Sequence, residues 1–337
     1  MSVIPTIKTT LENAPVPSVD LYGEGQQELL AYWVNTTDNE QQPLGAPRTI
    51  ITRLSTATAT QGQILPINHR FPNSTYVLQF YGPAVQCQEA NSTVSKIIDG
   101  LRNSTIANIT TADEVLPLAN YYYAFVPDLT DFGNESLSYD GVRVLVQNEL
   151  QQLTNRSNQV WMVYSRYVYN SPGNRVAEDY YSICQLYNAS YSLNLTFEGA
   201  NQTIQATSIK LLNAVHYPDE KAPASRDLEV QQAYSSFMWA LSDLLVGSMG
   251  TYNSTPTDSD EPPMTFSYIT TQIERTSLLG SQDLDVFFDR NRAIWTNDIS
   301  SSRREDIDLA RNRTMDVLIE EVAFNITMSL MNNDLIS

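Results

Sequence analysis

The chain has 337 residues, of which 38 are acidic and 20 basic, so its formal net charge is −18 at pH 7. Apolar residues make up 42% of the sequence, which is enough for a packed core and argues against a disordered chain. The acidic excess argues against binding to nucleic acids or to anionic membranes, because both need clustered lysine and arginine. The length predicts one large domain or two smaller ones.

The first quarter of the chain predicts a polar arm followed by strands. Residues 1–48 are rich in Pro, Gly, Gln and Asn and predict an extended arm. Residues 49–60, rich in Thr, Ile and Ala, predict a strand. A second strand is predicted over 74–88, where Gly82 and Pro83 indicate a bend or a position at a sheet edge.

The next segments alternate between helical and strand spacing. Residues 91–103 carry apolar side chains on one helical face, and Ser92 is predicted to cap this helix. A short aromatic strand is predicted over 121–127. Residues 158–169 are apolar on both faces, which predicts a strand that is covered on both sides.

The clearest strand in the sequence spans 184–197, where apolar and polar residues alternate. The sequon residues Asn188 and Asn194 fall on the polar face, where a glycan would not disturb packing. Residues 198–201 predict a turn into a partner strand over 202–215.

The last third of the chain is predicted to be helical. After a Pro-containing linker over 216–225, Ser225 is predicted to cap a helix that runs to about residue 250. Residues 252–263 predict a flexible acidic loop. A long helix is predicted over 302–332, and it carries two apolar stripes on nearly opposite sides. Such a helix is either sandwiched within the chain or holds a partner. The partner would be a segment outside the given residues or, through residues 315–331, a second copy of the chain.

These elements together predict an α+β fold with an antiparallel β-rich, sandwich-like core followed by two long C-terminal helices. The predicted organisation is an N-terminal arm (1–48), a β-rich domain (49–225) and a helical region packed on the β core (226–337).

Acceptor triplets for N-glycosylation, Asn-x-Ser/Thr, are unusually frequent. The sequence holds 13 of them, whereas random placement of its residues would give roughly four or five. The excess favours passage through a glycosylating secretory pathway, and the alternative is a surface whose Asn, Ser and Thr content creates triplets by composition. The predicted sites are Asn35, Asn73, Asn91, Asn103, Asn108, Asn134, Asn155, Asn188, Asn194, Asn201, Asn253, Asn312 and Asn325.

The two cysteines of the chain, Cys87 and Cys184, predict a disulfide in an oxidising compartment. Two buried free thiols are the alternative. No CxxC pair or histidine cluster accompanies them, so the sequence predicts neither a metal site nor a cofactor.

No targeting segment is evident in the sequence. The N-terminus lacks the basic start and the apolar run of a signal peptide. The most apolar stretch, 237–249, is too short to cross a membrane and contains Asp243. We therefore expect the chain to be an ectodomain fragment whose membrane-anchoring segments lie outside the given residues.

Signatures of catalysis are weak. The two histidines, His69 and His216, have the local sequence of structural residues, and neither accompanies a GxSxG or HExxH motif. Small acidic groups at 283–289 and 258–261 are typical of solvated faces, although a calcium site needs the same residue types. Paired carboxylates for glycoside hydrolysis stay open, since nothing singles out one pair among 38 acids.

Tyrosine is frequent, with clusters at 121–123 and 180–181. Exposed tyrosines would suit stacking on sugar rings or a protein contact surface, whereas buried ones would be ordinary residues at the edge of a β core.

Several stretches resemble a family of uncharacterised ascomycete fungal cell-surface proteins. They are residues 80–87 (FYGPAVQC), 184–191 (CQLYNASY) with 195–197 (LTF), and 319–330 (IEEVAFNITMSL). The resemblance implies a large glycosylated ectodomain flanked by transmembrane helices, with no established activity. Some members are labelled formylmethionine deformylase-like, but this chain lacks the HExxH helix that a peptide deformylase needs.

The sequence therefore predicts a non-enzymatic extracellular ectodomain of a fungal cell-surface glycoprotein, with an unknown ligand. The alternative is a secreted carbohydrate-binding or carbohydrate-active protein, motivated by the tyrosines and acids on a β-rich frame.

Overall fold

The structure is a computed structural model, and the described part of the chain comprises residues 21, 30–33, 44–69, 71, 73–109, 118–126, 158–171, 174–216, 225–253, 265–288 and 300–332. Its strands are Ala31–Trp33 (β1), Leu44–Pro47 (β2), Asn73–Glu89 (β3), Leu118–Phe125 (β4), Gln159–Ser171 (β5), Asn174–Glu198 (β6), Asn201–Ala214 (β7), Gly247–Asn253 (β8) and Thr265–Ile269 (β9). Its α-helices are Thr49–Gln61 (α1), Ser92–Ile109 (α2), Arg226–Leu245 (α3), Ser300–Ala310 (α4) and Met315–Ser329 (α5). Short 3₁₀ segments span Ile273–Arg275, Ser277–Gly280, Gln282–Phe288 and Leu330–Asn332.

The β framework is an antiparallel sheet in the order β3-β6-β5-β4-β8-β9, and β1 pairs separately with β2. The long strand β6 is central to it. One side of β6 pairs, over residues 182–198, with the full length of β3. The other side of β6 pairs with β5 through its first half and with β7 through its second half. The sheet and the C-terminal helices confirm the predicted α+β class.

Two apolar clusters lie on opposite faces of strands β4 and β5, because neighbouring residues of a strand point to opposite sides. Met162 and Tyr164 belong to the larger cluster, which includes buried residues of α1, α3 and α5. Trp161 and Val163 belong to the smaller cluster, which includes Ile98 of α2. The prediction that this strand is covered on both sides is therefore confirmed.

The predicted strand over 49–60 is wrong, because these residues form helix α1. Its buried residues, Ile51, Ser55, Thr58 and Ala59, recur at helical spacing, and Gly62 ends the helix in the left-handed region with φ 63°. Thr58 donates its hydroxyl to the carbonyl of Leu54, four residues earlier. This bond accommodates a threonine inside a helix, so the β-branched composition did not decide the secondary structure.

The single long helix predicted over 302–332 is also wrong. The helix is interrupted between α4 and α5 at Arg311 and Asn312, whose backbone lies in the left-handed region with φ values of 51° and 56°. Helix α5 then starts afresh, and the Asp283 carboxylate accepts the N–H of Met315 at 2.7 Å. A partner from a distant segment thus satisfies an N–H that a continuous helix would have bonded internally.

The first predicted apolar stripe of this region is buried within the chain, and so is most of the second. Met328 and Met331 of the second stripe are buried, Phe324 packs against the larger core, and Val317 is exposed. This arrangement fits a helix sandwiched inside the fold. Self-association through 315–331 stays an untested prediction.

The hairpin β6–β7 is confirmed, with Gly199 at φ 62° in its two-residue turn. The predicted strand with Gly82 and Pro83 is β3, which pairs with β6 alone and therefore lies at the sheet edge. An edge position tolerates proline because the missing N–H faces away from the ladder.

The predicted helix caps have different outcomes. Ser225 caps α3 by accepting the N–H of Leu228, as predicted, but the helix ends at Leu245 rather than near residue 250. In α2 the cap is Asn91, whose Oδ1 accepts the N–H groups of residues 93 and 94 at 3.0 Å, and not Ser92.

The described part of the predicted arm contributes to the core. Leu21 and Leu30 are fully buried in the larger cluster, and β2 packs near α3. The predicted acidic loop lies outside the described residues except for its first two, which end β8. The predicted domain boundaries stay predictions. Among the described helices, none combines the length and the apolar character needed to cross a membrane.

Candidate functional site

Cys87 and Cys184 form a disulfide, with an S–S distance of 2.01 Å. The two residues lie directly opposite each other in the β3–β6 register. Cys184 is fully buried and Cys87 is partly buried. The bond fastens the edge strand β3 to the central strand β6 and closes a chain segment with a sequence separation of 97.

Carboxylates from the first turns of α5 surround this disulfide. Glu320 accepts the backbone N–H of Cys87 at 2.8 Å. Asp316 accepts the hydroxyls of Ser182 at 2.6 Å and of Tyr180 at 3.0 Å, both from β6. A carboxylate oxygen of Asp316 and the two sulfurs lie within 4.8 Å of one another. Because the sulfurs are bonded to each other, this group is a structural junction between α5 and the sheet rather than a metal centre.

A third carboxylate, Asp283, extends the junction into the core. It is 5% exposed, and its Oδ2 accepts the Met315 N–H and, at 3.4 Å, the hydroxyl of Tyr164. Burial raises the pKa of Asp283, and the hydrogen bond from Met315 opposes that shift. Burial likewise raises the pKa of Glu320, against the hydrogen bond from Cys87. These carboxylates hold fixed donors of the fold, which is the arrangement expected of structural residues.

The prediction that the acidic group at 283–289 is a solvated face is wrong for Asp283, which is buried. Asp283 caps α5, and Asp285 forms an ion pair with Arg303 of α4. Asp289 and the residues 258–261 lie outside the described part of the chain.

The two histidines lie in different environments. His69 stacks on Phe197 with ring centroids 4.2 Å apart, and its two ring nitrogens lie 3.1 and 3.2 Å from the carbonyl oxygens of Ile67 and Gly199. It is a structural residue at the β6–β7 turn. His216 is exposed two residues beyond the end of β7, on the wall of a cleft.

That cleft, called the Asn188 cleft below, has a volume of about 320 Å³ and is open to solvent on one side. It lies where the pair β6–β7 meets the first turns of α3, and its polar walls are Asn188, Asn213, His216, Asp227, Gln231 and Tyr234. Val230 of α3 adds an apolar wall. The volume is at the lower end of the range of small-ligand sites, about 300–1,000 Å³.

The pairing register and one hydrogen bond set the geometry of this cleft. Asn188 and Asn213 are direct neighbours across the β6–β7 pair. Tyr234, which is 1% exposed, donates its hydroxyl to Oδ1 of Asn188 at 2.9 Å. Since the tyrosine is held in the core by α3, it fixes the orientation of the Asn188 amide.

The predicted tyrosine clusters are mostly internal. Tyr121, Tyr122 and Tyr123 are buried, and Tyr180 and Tyr181 are half-buried. Tyr181 donates to Asp99 of α2 at 2.8 Å, and burial raises its pKa to about 12. These residues therefore pack the β core and do not form an exposed aromatic row.

The described sequon residues differ in exposure. Asn188 and Asn194 are half-buried on the polar face of β6. The exposed ones are Asn73, Asn91, Asn103, Asn201 and Asn312. Asn108 and Asn253 lie in α2 and β8 without described side chains, and Asn35, Asn134 and Asn155 lie outside the described residues.

Asn325 differs from the other described sequon residues because it is buried. It lies on the inner face of α5, is 5% exposed, and its Nδ2 has no hydrogen-bond partner among the described residues. A sugar on this nitrogen would have to displace the core around α5, so we expect Asn325 to be unoccupied.

Sequence reasoning did not find the Asn188 cleft. Its walls come from three segments that are separated in sequence, and only the pairing register brings them together. The one sequence signal was the position of Asn188 on the polar face of its strand. Comparison of the chain with protein-family models, curated proteins and solved structures finds no match.

Proposed function

We propose that this chain is the extracellular ectodomain of a cell-surface glycoprotein and that it has no catalytic activity. The observation that carries the proposal is the disulfide between Cys87 and Cys184, which are the only cysteines in the sequence. Protein disulfides persist in oxidising compartments and are rare in the cytosol.

The glycan acceptors support the same proposal. Of the eight sequon residues with described side chains, five are exposed and two are half-buried, while Asn325 is the buried exception. Exposed positions can carry a large hydrophilic glycan without a cost to packing. The sequon excess and the disulfide are independent signals of one compartment.

The proposed lack of catalysis rests on the hydrogen bonds that the carboxylates near α5 accept. Asp283, Asp316 and Glu320 each accept hydrogen bonds from groups that the fold must satisfy. A glycosidase instead places two carboxyl groups on either side of a substrate. Buried tyrosines at 121–123 also remove the main motive for a sugar-stacking surface.

Expression through the secretory pathway of a eukaryotic host tests the proposal. We expect a ladder of bands that an N-glycosidase collapses to one band, and a shift in mobility when a reductant opens the disulfide. A single unmodified band with two alkylatable thiols would refute the proposal.

A further inference from the structure

Asn188 differs from the other described sequon residues because it forms the wall of a cleft. Asn73 and Asn201 are exposed beside the β6–β7 turn, whereas the Asn188 side chain is half-buried and faces Asp227, Gln231 and Tyr234 across the Asn188 cleft. A glycan attached there would start inside a concave, polar surface.

The folded geometry of the Asn188 amide is compatible with a glycan on its nitrogen. Its Oδ1 accepts the Tyr234 hydroxyl at 2.9 Å, which leaves the other atom of the amide, Nδ2, outside this bond. N-glycosylation modifies Nδ2 and leaves Oδ1 as an acceptor, so the bond from Tyr234 is compatible with the modified side chain. The same bond limits the rotamers that a glycosylated Asn188 could adopt.

We propose that the Asn188 cleft holds the first sugar residues of the chain's own Asn188-linked glycan. This inference rests on the proposed secretory origin of the protein. The cleft offers the chemistry that an N-acetylglucosamine unit needs. Asn213 and Gln231 can donate to and accept from sugar hydroxyls, and Asp227 can accept from them. Val230 supplies an apolar contact for the acetamido methyl group.

Covalent attachment explains why the cleft need not bind free sugar strongly. A tethered group is present at an effective concentration of about millimolar or higher, so weak contacts suffice to keep it bound. A glycan bound in this way would also shield the junction between β7 and α3 from solvent and would exclude other ligands from the cleft.

The test compares two sequons on the same strand. Ser190→Ala destroys the Asn188 triplet without touching the Asn188 amide. Thr196→Ala destroys the Asn194 triplet as the control, at the cost of one exposed hydrogen bond from the Thr75 hydroxyl at 3.3 Å. Both variants and the parent chain are secreted from a eukaryotic host. Glycopeptide mass spectrometry gives the occupancy of each site, and thermal unfolding gives the stability.

We expect Ser190→Ala to lower the melting temperature by about 2 °C or more, and Thr196→Ala to leave it within about 1 °C. In the native parent chain, an N-glycosidase should release the Asn188 glycan at least about tenfold more slowly than the Asn194 glycan, the factor that about 1.4 kcal/mol supplies. Denaturation should abolish this difference. The digestion rates test the inference even where a variant fails to fold.

Three results would overturn the inference. The two glycans could be released at equal rates, the two variants could melt alike, or Asn188 could be unoccupied. Occupancy of the other exposed sequons would in each case leave the proposed function intact, whereas a chain without any glycan would refute the proposed function as well.

Discussion

Removing the disulfide should destabilise the protein by an amount that can be calculated from its position. The bond between Cys87 and Cys184 closes a sequence separation of 97. In the chain-entropy model, a loop of about 100 residues contributes about 4.7 kcal/mol by restricting the unfolded chain. Since Cys184 is fully buried, replacing both cysteines by alanine also removes packed sulfur atoms, and the resulting cavity adds to the loss of stability.

This free energy converts into a shift in melting temperature. With an unfolding entropy of about 2.1 cal/mol/K per residue, a cooperative unit of 337 residues should melt about 6–7 °C lower without the bond. The measurement is calorimetric unfolding of the double variant Cys87→Ala/Cys184→Ala beside the parent chain. Reductant should lower the melting temperature of the parent by a similar amount and leave the variant unchanged.

The control separates bond loss from side-chain loss, because reductant opens the bond without altering the composition. A double variant that melts within about 1 °C of the oxidised parent would refute the entropic reasoning. It would show that the 17-residue strand β3, paired along its full length with β6, holds this segment without the covalent link.

Three further substitutions test the junction at α5, the packing at a glycine and the glycosylation of a buried asparagine. Burial raises the pKa of Asp283, so the stability that its neutral form contributes is fully present below about pH 4 and is lost as the pH rises through the raised pKa. The melting temperature of Asp283→Asn should therefore depend less steeply on pH above pH 4 than that of the parent chain. An equal dependence of the melting temperature on pH would contradict this. At Gly280, an added Cβ would lie 2.0 Å from the carbonyl oxygen of Asp306. In urea unfolding, Gly280→Ala should therefore lower the free energy of unfolding by about 1–3 kcal/mol. The control is Gly100→Ala on helix α2, where an added Cβ would meet nothing within 4 Å, and it should raise the free energy of unfolding by up to about 1 kcal/mol. Asn325→Gln should leave the mass of the secreted glycoprotein unchanged apart from the substitution itself, because the buried amide carries no glycan; a glycoform lost from this variant would contradict the burial argument.

The sequence predicts this fold best where one local pattern agrees with another. In the hairpin β6–β7, the alternation, the turn residues and the sequon positions all favour the same face, and Gly199 supplies the left-handed turn. The cysteine pair was predictable because two cysteines allow only one pairing. The helix that Ser225 caps was predictable for the same local reasons.

The sequence fails where distant contacts decide. Residues 49–60 have the composition of a strand, but Ile51 and Ala59 are buried at helical spacing in the larger core, and that burial outweighs local propensity. Residues 302–332 have a helical pattern throughout, yet Asp283 fixes a new helix start at Met315. No residue spacing in the sequence predicts the contact between Asp283 and Met315.

The candidate site follows the same rule. The polar face of β6 placed Asn188 where a glycan could attach, but the cleft beside it depends on the register with β7 and on Tyr234 from α3. The roles of Asp316 and Glu320 depend in turn on where α5 lies against the disulfide. Tertiary contacts therefore give these side chains their roles.

The most direct test of the extracellular assignment is a non-reducing peptide map of the protein secreted from a eukaryotic host. An N-glycosidase acting in heavy-oxygen water marks each occupied asparagine by converting it to labelled aspartate. We expect a linked pair of peptides containing Cys87 and Cys184, and the label at exposed sequons such as Asn73 and Asn201. Free thiols together with unlabelled asparagines would contradict the assignment.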